Sequence, residues 1–323
     1  MNALPVLLDT DIGSNIDDSL ALAYLLRHPG CDLLGVSTVS GDVVKRAACA
    51  EVLCREAGRD DVPVHCGAPG PLLSGTGQSA VPLYPAIAHR PHRTDRTTGT
   101  AIDFMRWAIR ARPNEVTLVT IGPFTNVALL FALDPKLPSL LKAVVSMAGV
   151  YFPHERPVET NIVIDPVAAA MVYAASARPG AAPHTLVGLN VTTRCTMTAA
   201  DFRVRHRGAV PPAPALLEMA EAFFRRRRHV TFNDPLAASV ALSPELCSYE
   251  TGVVTMNVNA GGEAAARTFF APDRAGGERQ KAAESSGHRV ARGVRVDRFF
   301  TEYFDALCGT LPPGGFAPGA SRL

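Results

Sequence analysis

Short, uninterrupted apolar runs alternate with longer helical segments along most of this 323-residue chain, and that alternation restricts its fold more than any other feature. A strand covered on both faces is apolar throughout, whereas a strand with one wet face alternates. Ala3–Leu8, Cys31–Ser40, Val62–Gly67, Val116–Gly122, Ala143–Gly149 and Thr185–Asn190 read as such strands. Helices are predicted between and after them over Asp17–His28, Val43–Gly58, Gly99–Arg112, Phe124–Leu133, Asp165–Ala177, Ala213–His229 and Asp234–Leu242. A late strand over Gly252–Val258 and a final amphipathic helix over Val296–Cys308 follow. Alternation of this kind builds parallel βαβ units, so the expectation is an α/β fold with an open, mostly parallel sheet flanked by helices. Neither a repeat nor a composition break marks a linker, and residues 1–323 read as a single domain. Two stretches, about 68–96 and 260–292, read as long loops, with hairpin in the second; loops of that length in compact domains usually carry function. Ligands on such sheets bind at the carboxyl ends of the strands.

Charge and cysteine content narrow the partners. Lys plus Arg is 32 against 30 Asp plus Glu, so nothing in the net charge of +2 points to nucleic acid or an anionic membrane. The seven cysteines are odd in number and form no CxxC, which argues against a disulfide framework and for a reducing compartment. Met1–Leu8 lacks a basic leader and meets Asp9 after a short apolar run. A cytoplasmic protein with no membrane-spanning segment is expected. Trp107 and the phenylalanines read as core.

The first strand runs into Asp9-Thr10-Asp11-Ile12-Gly13-Ser14-Asn15-Ile16-Asp17-Asp18, four carboxylates within ten residues. Unpaired, they would repel one another strongly. A hard divalent cation with oxygen ligands relieves that repulsion. An EF-hand loop is excluded, because a strand precedes and its twelfth position, counted from Asp9, is Leu20. Two acids at i and i+2 after a strand also match aspartyl-nucleophile phosphatases that use magnesium; Lys142 is available for that chemistry, but no later acidic pair stands at a strand end. Other strand ends supply Ser40-Gly41-Asp42, Gly122-Pro123-Phe124-Thr125-Asn126, Met147-Ala148-Gly149, Glu159-Thr160-Asn161 and Asn233-Asp234-Pro235. Singly these are ordinary turns and helix starts; jointly they bring carboxylates, amides and carbonyls to one rim of one sheet.

At this point the chain resembles the nucleoside hydrolases, calcium-dependent N-ribohydrolases of the inosine-uridine-preferring type. The resemblance rests on DTDIGSNIDDSLAL (9–22), VSTVSGD (36–42), VTIGPFTNVAL (119–129), MAG (147–149), ETNIVIDPVAA (159–169), VGLNVT (187–192) and NDPLA (233–237), in family order. It implies a Rossmann-like sheet with the site at the strand ends. It further implies that Asp11, Asp18, the Thr125 carbonyl and Asp234 hold Ca2+, and that Asp11 is the general base. Asp17 and Asn161 would bind the ribose 2′- and 3′-hydroxyls, Glu159 the 5′-end, and Asp9 would support from behind. Asp42 stands where the family places a substrate-binding Asn. The implied partner is a small-molecule ribonucleoside, in a homo-oligomer (dimer or tetramer).

The departures fall on the base side. Asn233 replaces the His that serves many relatives as leaving-group acid, and an amide cannot give up a proton at useful pH. Asn190 replaces an Asp, Thr160 an aromatic and Pro153 an Asn. Asn15 replaces an Asp of the longer first motif. Arg225–Arg228 and His229 read as a solvated helix end or as cations near the base or 5′-end. His89 and His92, in the first long loop, are further candidate acids. Besides the hydrolase and the phosphatase, a third expectation is a non-catalytic ribonucleoside-binding protein that lacks the acid.

Overall fold

The computed structural model describes residues 3–206, 212–260, 262–273 and 287–311. The strands are β1 (Leu4–Thr10), β2 (Cys31–Thr38), β3 (Val64–Cys66), β4 (Thr117–Thr120), β5 (Ala143–Met147), β6 (His184–Val187), β7 (Thr196–Thr198), β8 (His229–Thr231), β9 (Cys247–Met256), β10 (Thr268–Pro272) and β11 (His288–Val294). Nine of them form one sheet in the order β10-β9-β11-β6-β5-β4-β1-β2-β3, and β7 pairs with β8 separately. From β3 to β11 every pairing is parallel; β9 and β10 close one edge antiparallel. The chain lays β2 and β3 to one side of β1 and β4 to β6 to the other, so the topology switches between β1 and β4.

Alternate residues of each central strand enter different cores. Val6 and Leu8 of β1, Val119 of β4 and Val145 of β5 join one apolar cluster, while Leu7, Leu118 and Val144 join another. Side chains alternate across a strand, so the two cores lie on opposite faces of the sheet. That is why these strands are apolar at every position. The helix Asp17–Arg27 packs in the first core against Asn233–Leu242 and against the C-terminal helix Val296–Cys308. Tyr24 donates to Glu302 at 2.9 Å across that packing.

Several boundaries differ from the sequence reading. β1 continues through Asp9 and Thr10, because both pair with β2, opposite Ser37 and Thr38. β6 stops at Val187 and a helical turn, Leu189–Thr192, follows, so Asn190 stands in that turn rather than in the strand. The expected Ala213–His229 helix ends at Phe224, and His229 instead opens β8. Four successive cations leave little reason to extend a helix, and β8 has its own partner in β7. Within 260–292, β10 pairs antiparallel with β9 as a hairpin, and β11, which the sequence reading did not separate from the loop, sits between β9 and β6. Residues 261 and 274–286 of that stretch lie outside the described ones. The 68–96 segment is loop apart from one helical turn, Tyr84–Ile87. Trp107 is 70% exposed and not core; it lies on the outer face of an amphipathic helix, Thr100–Ala111, whose buried residues include Ala101, Met105, Ala108 and Ile109.

Candidate active site

A hollow of about 110 Å³ opens at the switch point, at the carboxyl ends of β1, β4 and β5. Asp11, Asp17, Asp18, Glu159 and Asp234 line it, with Asn161, Asn233 and Arg156. All five carboxylates are at most 6% exposed. Asp11 follows the last residue of β1, and a turn through Gly13, whose φ is +100°, carries the chain to the start of the Asp17–Arg27 helix. Asp17 and Asp18 are its first residues, where the helix dipole favours anions. Asp234 occupies the first turn of Asn233–Leu242, packed alongside. Carboxylate oxygens of Asp17, Asp18 and Asp234 lie within 4.8 Å of one another.

Burial raises the pKa of each of these acids. Desolvation is the largest cause for Asp11, opposed by the Arg46 guanidinium. Asp18 and Asp234 rise further because other carboxylates face them. Asp17 is pushed up to about 6 by burial, against the hydrogen bond from Asn233 Nδ2 at 2.8 Å. Glu159 reaches about 7 for the same reason, although the backbone N–H groups of Asn161, Ile162 and Gly149 donate to it at 2.7, 3.2 and 3.3 Å. Five acids this close and this dry carry more negative charge than Arg156, the one lining cation among the described residues, can offset, and their ligand atoms are all oxygen: those are the properties of a site for a hard divalent cation.

The supporting residues explain the motifs. Asp9 sits wholly buried behind the site and accepts from Ser37 Oγ at 2.5 Å and Asn126 Nδ2 at 2.8 Å. Asn126 also donates to the Thr38 carbonyl and accepts from Ala68 N–H, which ties the GPFTN segment to β1, β2 and the long loop. Gly122 is required because a Cβ there would come within 2.8 Å of the Asp11 backbone nitrogen. Asn161 Nδ2 donates to the carbonyls of Ile121 and Met147, at the ends of β4 and β5, which fixes its side chain in the hollow.

The remaining sequence candidates lie elsewhere. Asp42 caps the Val43–Glu56 helix by accepting from Lys45 N–H and pairs with the Lys45 ammonium at 2.8 Å, outside the hollow. Thr125 is buried in the first turn of its helix and donates its hydroxyl to Asp165 at 2.7 Å; the lining of the hollow reaches Ile121 of that segment, not Thr125. His92 bonds Tyr84 and the Arg90 carbonyl, and His89 faces Glu218, so neither loop histidine lines the hollow. Asn190 donates to the Ala291 carbonyl. Lys142 immediately precedes β5, at the amino end of that strand, whereas the hollow lies at the carboxyl ends and does not include it.

Two residues were not legible beforehand. Arg46, in the first turn of the Val43–Glu56 helix, is wholly buried; it donates to the carbonyls of Asp11, Ile12, Ser40 and Gln78 and to Ser14 Oγ. Arg156, from an irregular stretch before Glu159, is the only cationic side chain lining the hollow among the described residues. Neither stands in a motif whose spacing marks it.

Comparison with known proteins identifies the family and the fold. The profile of the family described as inosine-uridine preferring nucleoside hydrolase matches residues 6–301. Uridine nucleosidase 1 of Arabidopsis thaliana is 30% identical over 267 residues, covering 77% of each chain. The pyrimidine-specific ribonucleoside hydrolase RihA of Klebsiella pneumoniae is 30% identical over 264 residues, covering 76% of this chain and 81% of its own. Among solved structures, a plant nucleoside hydrolase superposes with a TM-score of 0.80 over 94% of this chain and 99% of its own, at 24% identity. A purine-preferring ribonucleoside hydrolase from Gardnerella vaginalis gives 0.76 over 95% and 98%, at 23% identity. With the profile spanning nearly the whole chain and the motif carboxylates gathered at the switch point of the sheet, this chain belongs to the inosine-uridine preferring nucleoside hydrolase family.

Proposed function

We propose that this protein hydrolyses the N-glycosidic bond of a ribonucleoside to ribose and free base, with Ca2+ in the carboxylate hollow. The observation that carries the reading is the convergence of five buried carboxylates with Asn161 and Asn233 in one small cavity. Asp11, Asp18, Asp234 and the Thr125 carbonyl are the assigned calcium ligands; Asp17, whose oxygens lie within 4.8 Å of those of Asp18 and Asp234, borders the same position. When bound, the cation would orient the attacking water and acidify it. Asp11, whose basicity burial raises, takes the proton of that water. The water oxygen bonds to C1′ while the C1′–N bond breaks and its electron pair leaves with the base. Asp17 and Asn161 hold the 2′- and 3′-hydroxyls, and Glu159 holds the 5′-end. The positive charge that develops on the ribosyl ring lies among carboxylates, which stabilise it more than they do the neutral substrate. Asn233 offers the leaving base a hydrogen bond but no proton. The same reading includes a cytoplasmic, homo-oligomeric enzyme.

The test is a panel of ribonucleosides and 2′-deoxyribonucleosides assayed for reducing sugar with calcium or with chelator. Ribose release that chelation stops and that Asp11→Ala lowers by at least about 10³-fold is expected. Deoxyribonucleosides should be far slower, because they leave Asp17 unpaired at a buried position. Activity unaffected by chelation would remove the metal, and phosphate release from phosphomonoesters would favour the phosphatase.

A further inference from the structure

A second and larger cavity, of about 710 Å³, adjoins the hollow and shares Ser14 and Asn15 with it. Only Ile16 separates them from Asp17, which accepts from Asn233, so the shared wall runs up to the Asp17–Asn233 pair. Glu159, Thr160 and Arg156 line the hollow but not this cavity. If ribose occupies the hollow with its 5′-end at Glu159, the group on C1′ projects into the larger cavity. One wall is apolar, built from Leu83 and Pro85 of the long loop and Phe223 of the Ala213–Phe224 helix. The other carries Arg225, Arg226 and Arg227. These arginines lie where the Ala213–Phe224 helix has ended, on the short link to β8 and Asn233. Among the described residues none of Arg225–Arg228 takes part in a salt bridge, although other surface arginines such as Arg203 and Arg298 do.

Resting on the hydrolase reading above, we infer that the substrate class is a riboside whose aglycone is a flat heterocycle bearing a carboxylate. The ring packs between Leu83 and Phe223, and the carboxylate meets the arginine wall, where planar guanidinium groups match it. Asn233 fits this class. Three guanidinium groups stabilise negative charge that builds on the aglycone as the C1′–N bond breaks, so the leaving group depends less on a proton donor.

The discriminating probes are nicotinic acid riboside and nicotinamide riboside. They differ only by carboxylate against carboxamide, and in both the bond electrons return to a pyridinium nitrogen, so neither needs a proton to leave. The purified protein with calcium should show at least a tenfold higher kcat/KM for the acid, carried mainly by KM and shrinking as ionic strength rises. Arg225→Gln, Arg226→Gln and Arg227→Gln combined should bring the acid-to-amide ratio close to one. These side chains are exposed, so folding is checked by circular dichroism and is expected to be retained. Equal or better hydrolysis of the amide would overturn the inference while leaving the hydrolase reading intact. So would a preference for uridine 5′-monophosphate over uridine that the triple variant removes, since that places the anion on the sugar. Failure to release ribose from any riboside would overturn both.

Discussion

In the proposed reaction, Asn233 is the residue beside the leaving base. It lines the carboxylate hollow, and its Nδ2 donates to Asp17 at 2.8 Å. Its Oδ1 is buried without a partner among the described residues. An imidazole in its place would keep a donor toward Asp17 and add a transferable proton. Uridine, whose base leaves poorly unaided, should therefore be a weak substrate of the native protein, and Asn233→His should raise its kcat/KM by about 10²-fold. Steady-state rates on uridine and inosine for both proteins check this. Fast uridine hydrolysis by the native protein would mean the proton comes from another group. The motif residues were legible in the sequence because strand ends, helix starts and acid clusters have fixed spacings. Arg156 was not, since its place in the hollow follows from how an irregular stretch folds over it.

At the scale of elements, the site is an assembly of loops held by one buried arginine. Arg46 bonds the turn after β1 through Asp11, Ile12 and Ser14, the turn after β2 through Ser40, and the long loop through Gln78. Ser40 is held there in a left-handed conformation with φ +72°, a cost tolerated where the surroundings fix it. Removing the guanidinium leaves several buried carbonyls unpaired, and Arg46→Met should cost about 3–5 kcal/mol of stability. It should also weaken calcium binding, because the turn that carries Asp11 loses the bonds that hold it in place. Thermal denaturation and calorimetric titration with calcium measure the two effects. Arg46→Lys should recover little of either, since an ammonium cannot span these acceptors.

The C-terminus of the Asp17–Arg27 helix offers a second element-scale test. His28 stands where the helix dipole favours a cation, yet burial wins and lowers its pKa to about 4. Its Nδ1 accepts from Gly30 N–H at 3.0 Å, a bond that protonation at that nitrogen would break. The unfolded chain takes up this proton near pH 6.5 and the folded chain only near pH 4. The stability that neutral His28 contributes is thus complete above pH 6.5 and is lost as pH falls toward 4. Between pH 7.5 and 5.5 the loss is about 1 kcal/mol. His28→Gln should flatten the fall in Tm over that window relative to the native protein. Comparing the two proteins cancels the site carboxylates, whose raised pKa values act in the opposite direction.

For the molecule as a whole, the hollow joins segments separated by more than two hundred residues, from Asp11 to Asp234. A ligand that binds only where they meet stabilises the entire fold by mass action. Calcium at a hundred times its Kd should add about 2.7 kcal/mol and raise Tm by several degrees, with chelator reversing it. An unchanged Tm would show that the carboxylates do not hold the ion. Much of this architecture is set by the sequence itself. Continuous apolar strands dictate a sheet covered on both faces, and the acids that end β1 dictate charge at its rim. Both follow from residues near one another in the chain. Tertiary packing alone decided the rest. The stretch His288–Val294, poor in strand signal, is a strand because β6 and β9 flank it. Arg46 reads as a surface helix residue until three turns close around it. The Arg225–Arg227 run reads as a helix end until the long loop supplies the opposite wall of a cavity. Contacts between distant segments depend on how the whole chain fills space, and no local pattern of residue types records them.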